Sequence, residues 1–265
     1  MNGKRVHSYG RSGKRQPFSS LVIKQHDMQL LKNLFQVSGD LNGITFDQPG
    51  ALWNDGNAYV LKTPQGLILF DTGCGDTIEQ FFDNMRYWDL APEDIQYCLL
   101  THPHIDHAGG AHILKKRGVK IMAVSETAEA IASGDERCCG FLYHKTFHPV
   151  IIDQVLADKQ KRNLFGVEIE VMHLPGHSPG CTAYVFTWEQ KKIVISGDII
   201  STQPGSDFGR NSAIDFDQKN YTNSLRRFSK LDFDILLPGH GMPYFHKPRQ
   251  KVEDAFAAAL VQSRK

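Results

Sequence analysis

The residues with the clearest chemical potential lie in one short segment, where three histidines and an aspartate fall within six positions. Residues 101–110 read Thr-His-Pro-His-Ile-Asp-His-Ala-Gly-Gly. Imidazole nitrogens and carboxylate oxygens are common ligands of zinc and similar divalent metals. In an extended loop, residues two apart point the same way, so His102 and His104 can share one metal. Asp106 and His107, at the entrance of a predicted helix, turn toward a second metal.

One loop cannot complete two coordination spheres, so further ligands must come from distant parts of the chain. The sequence supplies three candidates, His177, Asp198 and His240, each preceded directly by glycine and placed after a predicted strand. Loops that follow strands on a rigid scaffold commonly carry function. The sequence therefore predicts a site for two metals that is assembled from four separate segments.

The elements that must position these residues are strands and helices in alternation. Apolar runs bounded by turn residues predict the strands, and longer periodic runs predict the helices. The predicted strands cover residues 57–61, 67–70, 95–100, 119–124, 167–173, 182–188, 192–196 and 235–237, and the predicted helices cover 78–88, 111–116, 125–133, 222–229 and 249–262. We expect Ser125 to cap its helix. The architecture implied is two packed sheets with helices outside, with irregular insertions at about 134–166 and 199–220.

Composition restricts the class of protein. A hydrophobic fraction of 41% and a charged fraction of 22% are typical of a globular chain with a sizeable core, and a net charge of +1 gives no field that would favour nucleic acid or an anionic membrane. No segment has the ~20 apolar residues that span a bilayer. The odd number of cysteines, without a secretory signal, favours reduced thiols in the cytoplasm. We expect a mobile basic tail at residues 1–20 and a single catalytic domain at 21–265.

The order and contexts of these motifs resemble the metallo-β-lactamase superfamily over residues 30 to 245. The resemblance implies an α+β fold, the four-layer αβ/βα sandwich with two mixed β-sheets flanked by helices. Asp71 resembles the aspartate that supports the ligand loop in that family without binding metal. The ligands that the resemblance implies are His102, His104 and His177 for the first metal, Asp106, His107 and His240 for the second, and Asp198 as the bridge between the two.

Details of the motifs separate the branches of that family. The β-lactamases that use a cysteine at the second metal have it where this chain has Asp198, so the resemblance favours the glyoxalase II and lactonase-like hydrolases. Acyl-homoserine lactonases have a tyrosine where this chain has Ser201, and glyoxalase II proteins carry a further C-terminal domain. His104 argues against the flavodiiron branch, which has Glu there. Persulfide dioxygenases share the ligand set but use one iron, so they stay open.

The function that this resemblance implies is hydrolysis of an ester, thioester or lactone by a metal-bridging hydroxide, with Asp106 orienting the hydroxide and carrying a proton. The alternatives are a phosphodiesterase of the same fold, an iron dioxygenase and, last, a non-catalytic binding protein. Two Zn²⁺ are the expected cofactors, with Fe or Mn as other candidates. We expect a small-molecule substrate, no nucleic-acid or membrane partner, and an oligomeric state that stays open to a homodimer.

Two irregular stretches are expected to rise beside the metals and to contribute the substrate pocket. Aromatic side chains there would suit an acyl or aryl group, and an arginine would suit an anionic substituent. The pocket candidates are Phe141, Tyr143, Phe208, Arg210 and Phe216. The adjacent Cys138 and Cys139 have no histidine partner in the sequence, and we expect no role for them in the site.

Overall fold

The structure is a computed structural model that describes residues 28–39, 55–202 and 214–262. The predicted tail at 1–20, the pocket candidates Phe208 and Arg210, and part of the 199–220 insertion lie outside the described residues. None of the helices in the described ranges is long and apolar enough to cross a bilayer.

Two mixed β-sheets form the centre of the fold. The first, in chain order, contains β1 (Gln29–Leu31), β2 (Leu34–Ser38), β3 (Ala58–Thr63), β4 (Gly66–Phe70), β5 (Ile95–Leu99), β6 (Lys120–Val124) and β7 (Gln154–Leu156). Strands β1 to β4 pair antiparallel, and β4 to β7 pair parallel. The second, in the order β12-β11-β10-β9-β8, contains β8 (Lys161–Leu164), β9 (Val167–His173), β10 (Thr182–Trp188), β11 (Lys191–Ser201) and β12 (Ile235–His240). Strands β8 to β11 pair antiparallel, and β11 pairs parallel with β12.

Helices cover the outer faces of both sheets. They are α1 (Ile78–Tyr87), α2 (Ile105–Ala108), α3 (Ala111–Lys116), α4 (Ser125–Ser133), α5 (Gln218–Phe228) and α6 (Pro248–Gln262). Side chains of α1 to α4 share an apolar cluster with the first sheet, and those of α5 and α6 share another with the second. A third cluster fills the space between the sheets. The four-layer αβ/βα sandwich predicted from the motifs is therefore confirmed.

Strand β4 contributes side chains to two apolar clusters, one on each face of the first sheet. Successive side chains of a strand point to opposite faces. Leu67 and Leu69 join the cluster under the helices, while Ile68 and Phe70 join the cluster between the sheets, where Phe70 stacks on Phe186 with ring centroids 5.6 Å apart. A strand buried on both faces reads as a continuous apolar run, which is why this strand was predictable from the sequence.

Several predicted boundaries differ from the structure. The 134–166 insertion is not wholly irregular, because it contributes the edge strands β7 and β8. Helix α5 begins at Gln218, capped by the Asp217 side chain, instead of at residue 222. The prediction that Ser125 caps α4 is wrong: Ser125 is already the first helical residue, and its hydroxyl donates to its neighbour Glu126.

Candidate metal centre

The 101–110 segment leaves the carboxyl end of β5 and enters the short helix α2. His102, His104, Asp106 and His107 are all buried. The turn is tight enough that a Cβ atom on Gly109 would collide with backbone atoms of the neighbouring loop and of α2 itself. The small residue at this position therefore allows the loop to pack closely beneath the candidate ligands.

The first group consists of His102, His104 and His177, which come from the β5 loop and from the loop after β9. Their ring centroids are 4.6, 4.8 and 5.0 Å apart, so the three rings surround a common point at nearly equal distances. His104 Nδ1 lies 3.1 Å from His177 Nε2. Two nitrogens on one tetrahedral zinc ion are ~3.3 Å apart, given a Zn–N bond of ~2.0–2.1 Å. This spacing suits one shared metal ion.

The second group consists of Asp106, His107, Asp198 and His240. His240 Nε2 lies 3.0 Å from Asp106 Oδ2 and 3.3 Å from His107 Nε2. His107 Nε2 lies 3.3 Å from Asp198 Oδ1. Residues from α2, β11 and β12 therefore direct nitrogen and oxygen atoms at one second point.

The carboxylate of Asp198 contacts both groups. Its Oδ2 lies 3.5 Å from His177 Nε2 in the first group and 3.4 Å from His240 Nε2 in the second. The bulge of β11 at Gly197 turns this side chain into the cleft. A Cβ atom on Gly239 would collide with the Asp198 carboxylate, so β12 can approach this closely only with glycine there.

Asp71 fixes the orientation of two imidazoles from beneath the cluster. It accepts hydrogen bonds from the backbone N–H and the hydroxyl of Thr101, both at 2.7 Å, and from His107 Nδ1 at 2.9 Å. Because the Thr101 hydroxyl proton is directed at Asp71, its oxygen accepts from His102 Nδ1 at 3.0 Å. Both rings therefore direct Nε2 toward the cluster, where it can bind a metal once it carries no proton.

The strand that carries His240 is fixed by a separate set of contacts. The Asn57 amide donates to the carbonyls of Pro238 and Gly241, and the Tyr59 hydroxyl donates to that of Pro238 at 2.7 Å. These bonds tie the two sheets together at the edge where the candidate ligands converge. The position of His240 is thus set by first-sheet residues far from it in sequence.

Comparison with known proteins decides the family. A sequence profile described as the metallo-beta-lactamase superfamily matches residues 51–240, most of the chain. The chain belongs to the metallo-beta-lactamase superfamily. It is 30% identical to the hydroxyacylglutathione hydrolase GloC of Haemophilus influenzae, over 63% of this chain and 77% of that protein. It is 28% identical to the atrochrysone carboxyl ACP thioesterase of Aspergillus fumigatus, over 77% of this chain and 56% of that protein.

Solved structures of the superfamily share the fold. The class B3 di-zinc metallo-beta-lactamase LRA-12 from an Alaskan soil metagenome superposes with a TM-score of 0.70 and 23% identity, covering 91% of this chain and 93% of that chain. At this identity the match shows the fold alone. The family match and the hydrolase relatives identify the chain as a metal-dependent hydrolase of the superfamily.

Unsatisfied polar atoms test whether the cluster fits the metal that the superfamily implies. Buried polar atoms are normally hydrogen-bonded, and each exception needs an explanation. Among the described residues, His102 Nε2, His104 Nε2 and Asp198 Oδ1 are buried without a hydrogen-bond partner. For His102 Nε2 and Asp198 Oδ1, which face the cluster, a metal ion supplies the missing partner. The residues present therefore fit a metal site.

The two groups differ in their electrostatics. Burial, reinforced by the neighbouring imidazoles, lowers the pKa of His102 well below its usual value. Burial also opposes charge on His240, but the carboxylates of Asp198 and Asp106 outweigh it and raise the pKa of His240 to about 10. The imidazoles of His240 and His107 outweigh the burial of Asp198 and hold the pKa of that carboxyl well below its usual range. In the metal-free protein the second group is thus a set of ion pairs, whereas His102 is neutral.

Of the predicted pocket residues, Tyr143 reaches the cluster. Burial, together with the nearby Asp106 carboxylate, raises the pKa of Tyr143 far above its usual value. Phe141, two residues earlier, is 53% exposed on the same turn. Phe216 is placed elsewhere than predicted: it packs on Tyr221 and the core beneath α5, with ring centroids 5.5 Å apart. An aromatic residue in an irregular stretch was here part of the core.

Sequence reasoning missed two residues beside His104. Asp215, in the turn before α5, has an oxygen 3.9 Å from His104 Nε2. The Asp215 and Cys139 side chains together outweigh burial and raise the pKa of His104 to about 9. Cys139 was predicted to have no role in the site, and the structure places it beside His104. Neither residue belongs to a motif with recognisable spacing, and both lie in stretches without periodicity. All five cysteines are free thiols.

Proposed function

We propose that this protein uses two zinc ions, held by the two ligand groups, to hydrolyse an ester, thioester or lactone. The observation that carries the proposal is the Asp198 carboxylate, whose one oxygen lies within 3.5 Å of imidazole nitrogens from both groups. A carboxylate in contact with both groups can hold two metals at the separation used by two-metal hydrolases, ~3.5–4 Å. His102, His104 and His177 would hold the first ion, and Asp106, His107 and His240 the second.

The chain's own residues position the substrate and move the proton. When bound, two zinc ions supply Lewis-acid polarisation of the scissile carbonyl and a water acidified toward neutrality. Asp106 lies at the cluster between His240 and the Tyr143 hydroxyl, so it is placed to orient a nucleophile and to pass its proton to the leaving group. The Tyr143 hydroxyl can donate a hydrogen bond to negative charge that develops on the substrate.

The surroundings of the cluster support a carbonyl substrate with an apolar part. Phe141 and Leu142 are more than half exposed and directly precede Tyr143, and Ile214, also 56% exposed, directly precedes Asp215. Exposed apolar groups beside a site favour acyl or aryl substituents. A thioesterase and a hydroxyacylglutathione hydrolase among the relatives support a thioester in particular.

Metal analysis combined with a substrate panel tests this function. We expect two zinc ions per chain and turnover of acyl thioesters and aryl esters above that of phosphodiesters or β-lactams. Asp106→Asn should abolish most of that turnover, whereas Asp83→Asn, which changes an exposed carboxylate on α1 paired with Arg86, should not. One iron per chain with oxygen consumption, or phosphodiesters as the preferred substrates, would overturn the proposal.

A further inference from the structure

Asp215 is an unusual carboxylate, because it is largely buried without a counter-charge bonded to it. Its side chain is 13% exposed, and neither carboxylate oxygen has a hydrogen-bond partner within residues 28–39, 55–202 and 214–262. Burying an ionised carboxylate without a partner is costly, so such a group calls for a functional explanation. Its Oδ1 lies 3.9 Å from His104 Nε2.

The two nitrogens of His104 face in different directions. Nδ1 is directed into the three-histidine group, 3.1 Å from His177 Nε2. Nε2 is buried, has no hydrogen-bond partner and faces Asp215. If Nδ1 binds the metal, the neutral ring must carry its proton on Nε2. That proton then points at a carboxylate that lacks a donor.

We propose that Asp215 is the positioning residue of His104, accepting a hydrogen bond from its Nε2–H and thereby fixing Nδ1 as the atom that ligates the first metal. The inference rests on the proposed function, since it assumes that the three-histidine group binds metal. The present separation of 3.9 Å is ~1 Å longer than a charge-assisted hydrogen bond.

This arrangement completes a pattern that the other imidazoles already show. His107 donates from Nδ1 to Asp71, and His102 donates from Nδ1 to Thr101, which leaves Nε2 of each ring toward the cluster. Asp215 gives His104 the opposite arrangement: Nε2 faces away from the cluster, and Nδ1 faces toward it. A carboxylate partner also makes the ligating nitrogen more basic and so strengthens its bond to the metal.

The test compares three variants of the full-length protein, Asp215→Ala, Asp215→Asn and the control Asp217→Asn. Asp217 lies two residues away and caps α5 by accepting from the Asn220 N–H, a task that asparagine performs equally well. The control therefore removes the same charge from the same segment. Zinc affinity is measured by competition with a chromophoric chelator, and the tautomer of His104 by long-range ¹H–¹⁵N correlation spectra of the zinc-loaded protein.

We expect the zinc-loaded wild-type protein to carry the His104 proton on Nε2 with slow exchange against water. Asp215→Ala should lower the affinity for one of the two zinc ions by about 10–100-fold, as is typical when a ligand loses such a partner. It should also accelerate the exchange of the His104 proton with water. Asp215→Asn should have a zinc affinity and a proton exchange rate between those of the wild type and Asp215→Ala, because its amide oxygen still accepts the hydrogen bond but carries no charge. Asp217→Asn should match the wild type in both measurements.

Three results would overturn the role of Asp215: wild-type zinc affinity and proton exchange in Asp215→Ala, a His104 ring that binds zinc through Nε2, or direct coordination of zinc by Asp215. These results differ from failure of the proposed function. A wild-type protein that binds no zinc, or one ion only, would refute the dinuclear site itself, whereas unchanged affinity in Asp215→Ala beside a two-zinc wild type would refute only the positioning role.

Discussion

The two ligand groups of the cluster are built from similar residues but stabilised by different means. The second group contains two carboxylates, and its imidazole nitrogens lie 3.0 to 3.4 Å from carboxylate oxygens. The first group contains imidazoles alone, and two of them have a buried nitrogen without a hydrogen-bond partner. Charge pairing therefore holds the second group together in the metal-free protein, whereas the first group depends on contacts behind its rings.

The supporting contacts follow the same division. Asp71 lies beneath His107 of the second group and reaches His102 of the first only through the Thr101 hydroxyl. Asp215 is close to His104 alone. Among the carboxylate ligands of the described chain, Asp198 is the one whose oxygens lie beside imidazole nitrogens of both groups. Substitution of Asp71, Thr101 or Asp215 should therefore affect the two metal positions unequally, whereas substitution of Asp198 should affect both.

The largest effect is expected from removing the charge that joins the groups. Asp198→Asn leaves a side chain of the same shape but removes the anion that faces imidazoles on both sides. Loss of an outer partner of a ligand costs about 10–100-fold, so loss of this carboxylate should lower hydrolysis by more than about 100-fold. Metal content should fall below one zinc ion per chain. Retention of two tightly bound ions in this variant would refute the bridging role.

Smaller and unequal losses of activity and metal affinity are expected from substitution of Asp71 and Thr101, which hydrogen-bond to His107 and His102. Asp71→Asn should reduce activity by about 10–100-fold, because it disturbs His107 directly and His102 through Thr101. Thr101→Val removes the link to His102 and one hydrogen bond to Asp71 but leaves the bond between Asp71 and His107 in place. It should therefore weaken the binding of one metal more than that of the other. Stepwise zinc titration separates the two cases. Equal losses of both metals in Thr101→Val would show that the supports are not separable.

The sequence predicted which side chains cluster because their physical signal is local. Four of the candidate ligands share one motif. His177 follows glycine after β9, and Asp198 follows glycine within β11, next to the apolar run that marks this strand as buried. The fold class followed from the resemblance of these motifs, and the layered core confirms it. What the sequence could not supply is which distant side chains support the ligands, because tertiary packing alone brings Asn57 and Asp215 to the cluster.

Edge elements were missed for a related reason. Strand β8 reads Lys-Arg-Asn-Leu and has three polar residues in four, since one side of an edge strand faces water and no apolar run is required. Phe216 shows what an aperiodic stretch leaves open: it was predicted to line a pocket, and the structure packs it on Tyr221 against the core. The spacing of apolar residues predicts which side chains of a helix or strand are buried, but it gives no such information for loops.

The comparison of the two groups also predicts how metal uptake depends on pH. Metal binding requires neutral imidazoles. In the metal-free protein the Asp198 and Asp106 carboxylates, against the opposing effect of burial, raise the pKa of His107 and His240, the latter to about 10, so both rings hold protons at pH 7. Burial lowers the pKa of His102, so that ring is already neutral. Filling the second group must therefore release protons, whereas His102 contributes none.

The sign follows from the raised pKa values: affinity of the second group for zinc should increase as pH rises from 6 toward 9 and fall as pH decreases. The change is roughly tenfold per pH unit for each proton released. Titration calorimetry at pH 7 in buffers of different ionisation enthalpy counts those protons directly. The weaker pH dependence should belong to the first group, where His104, with a pKa raised to about 9, is the one ring shown to have a raised pKa. If neither zinc ion released protons, the imidazoles of the second group would be neutral in the metal-free protein, and the electrostatic contrast between the groups would disappear.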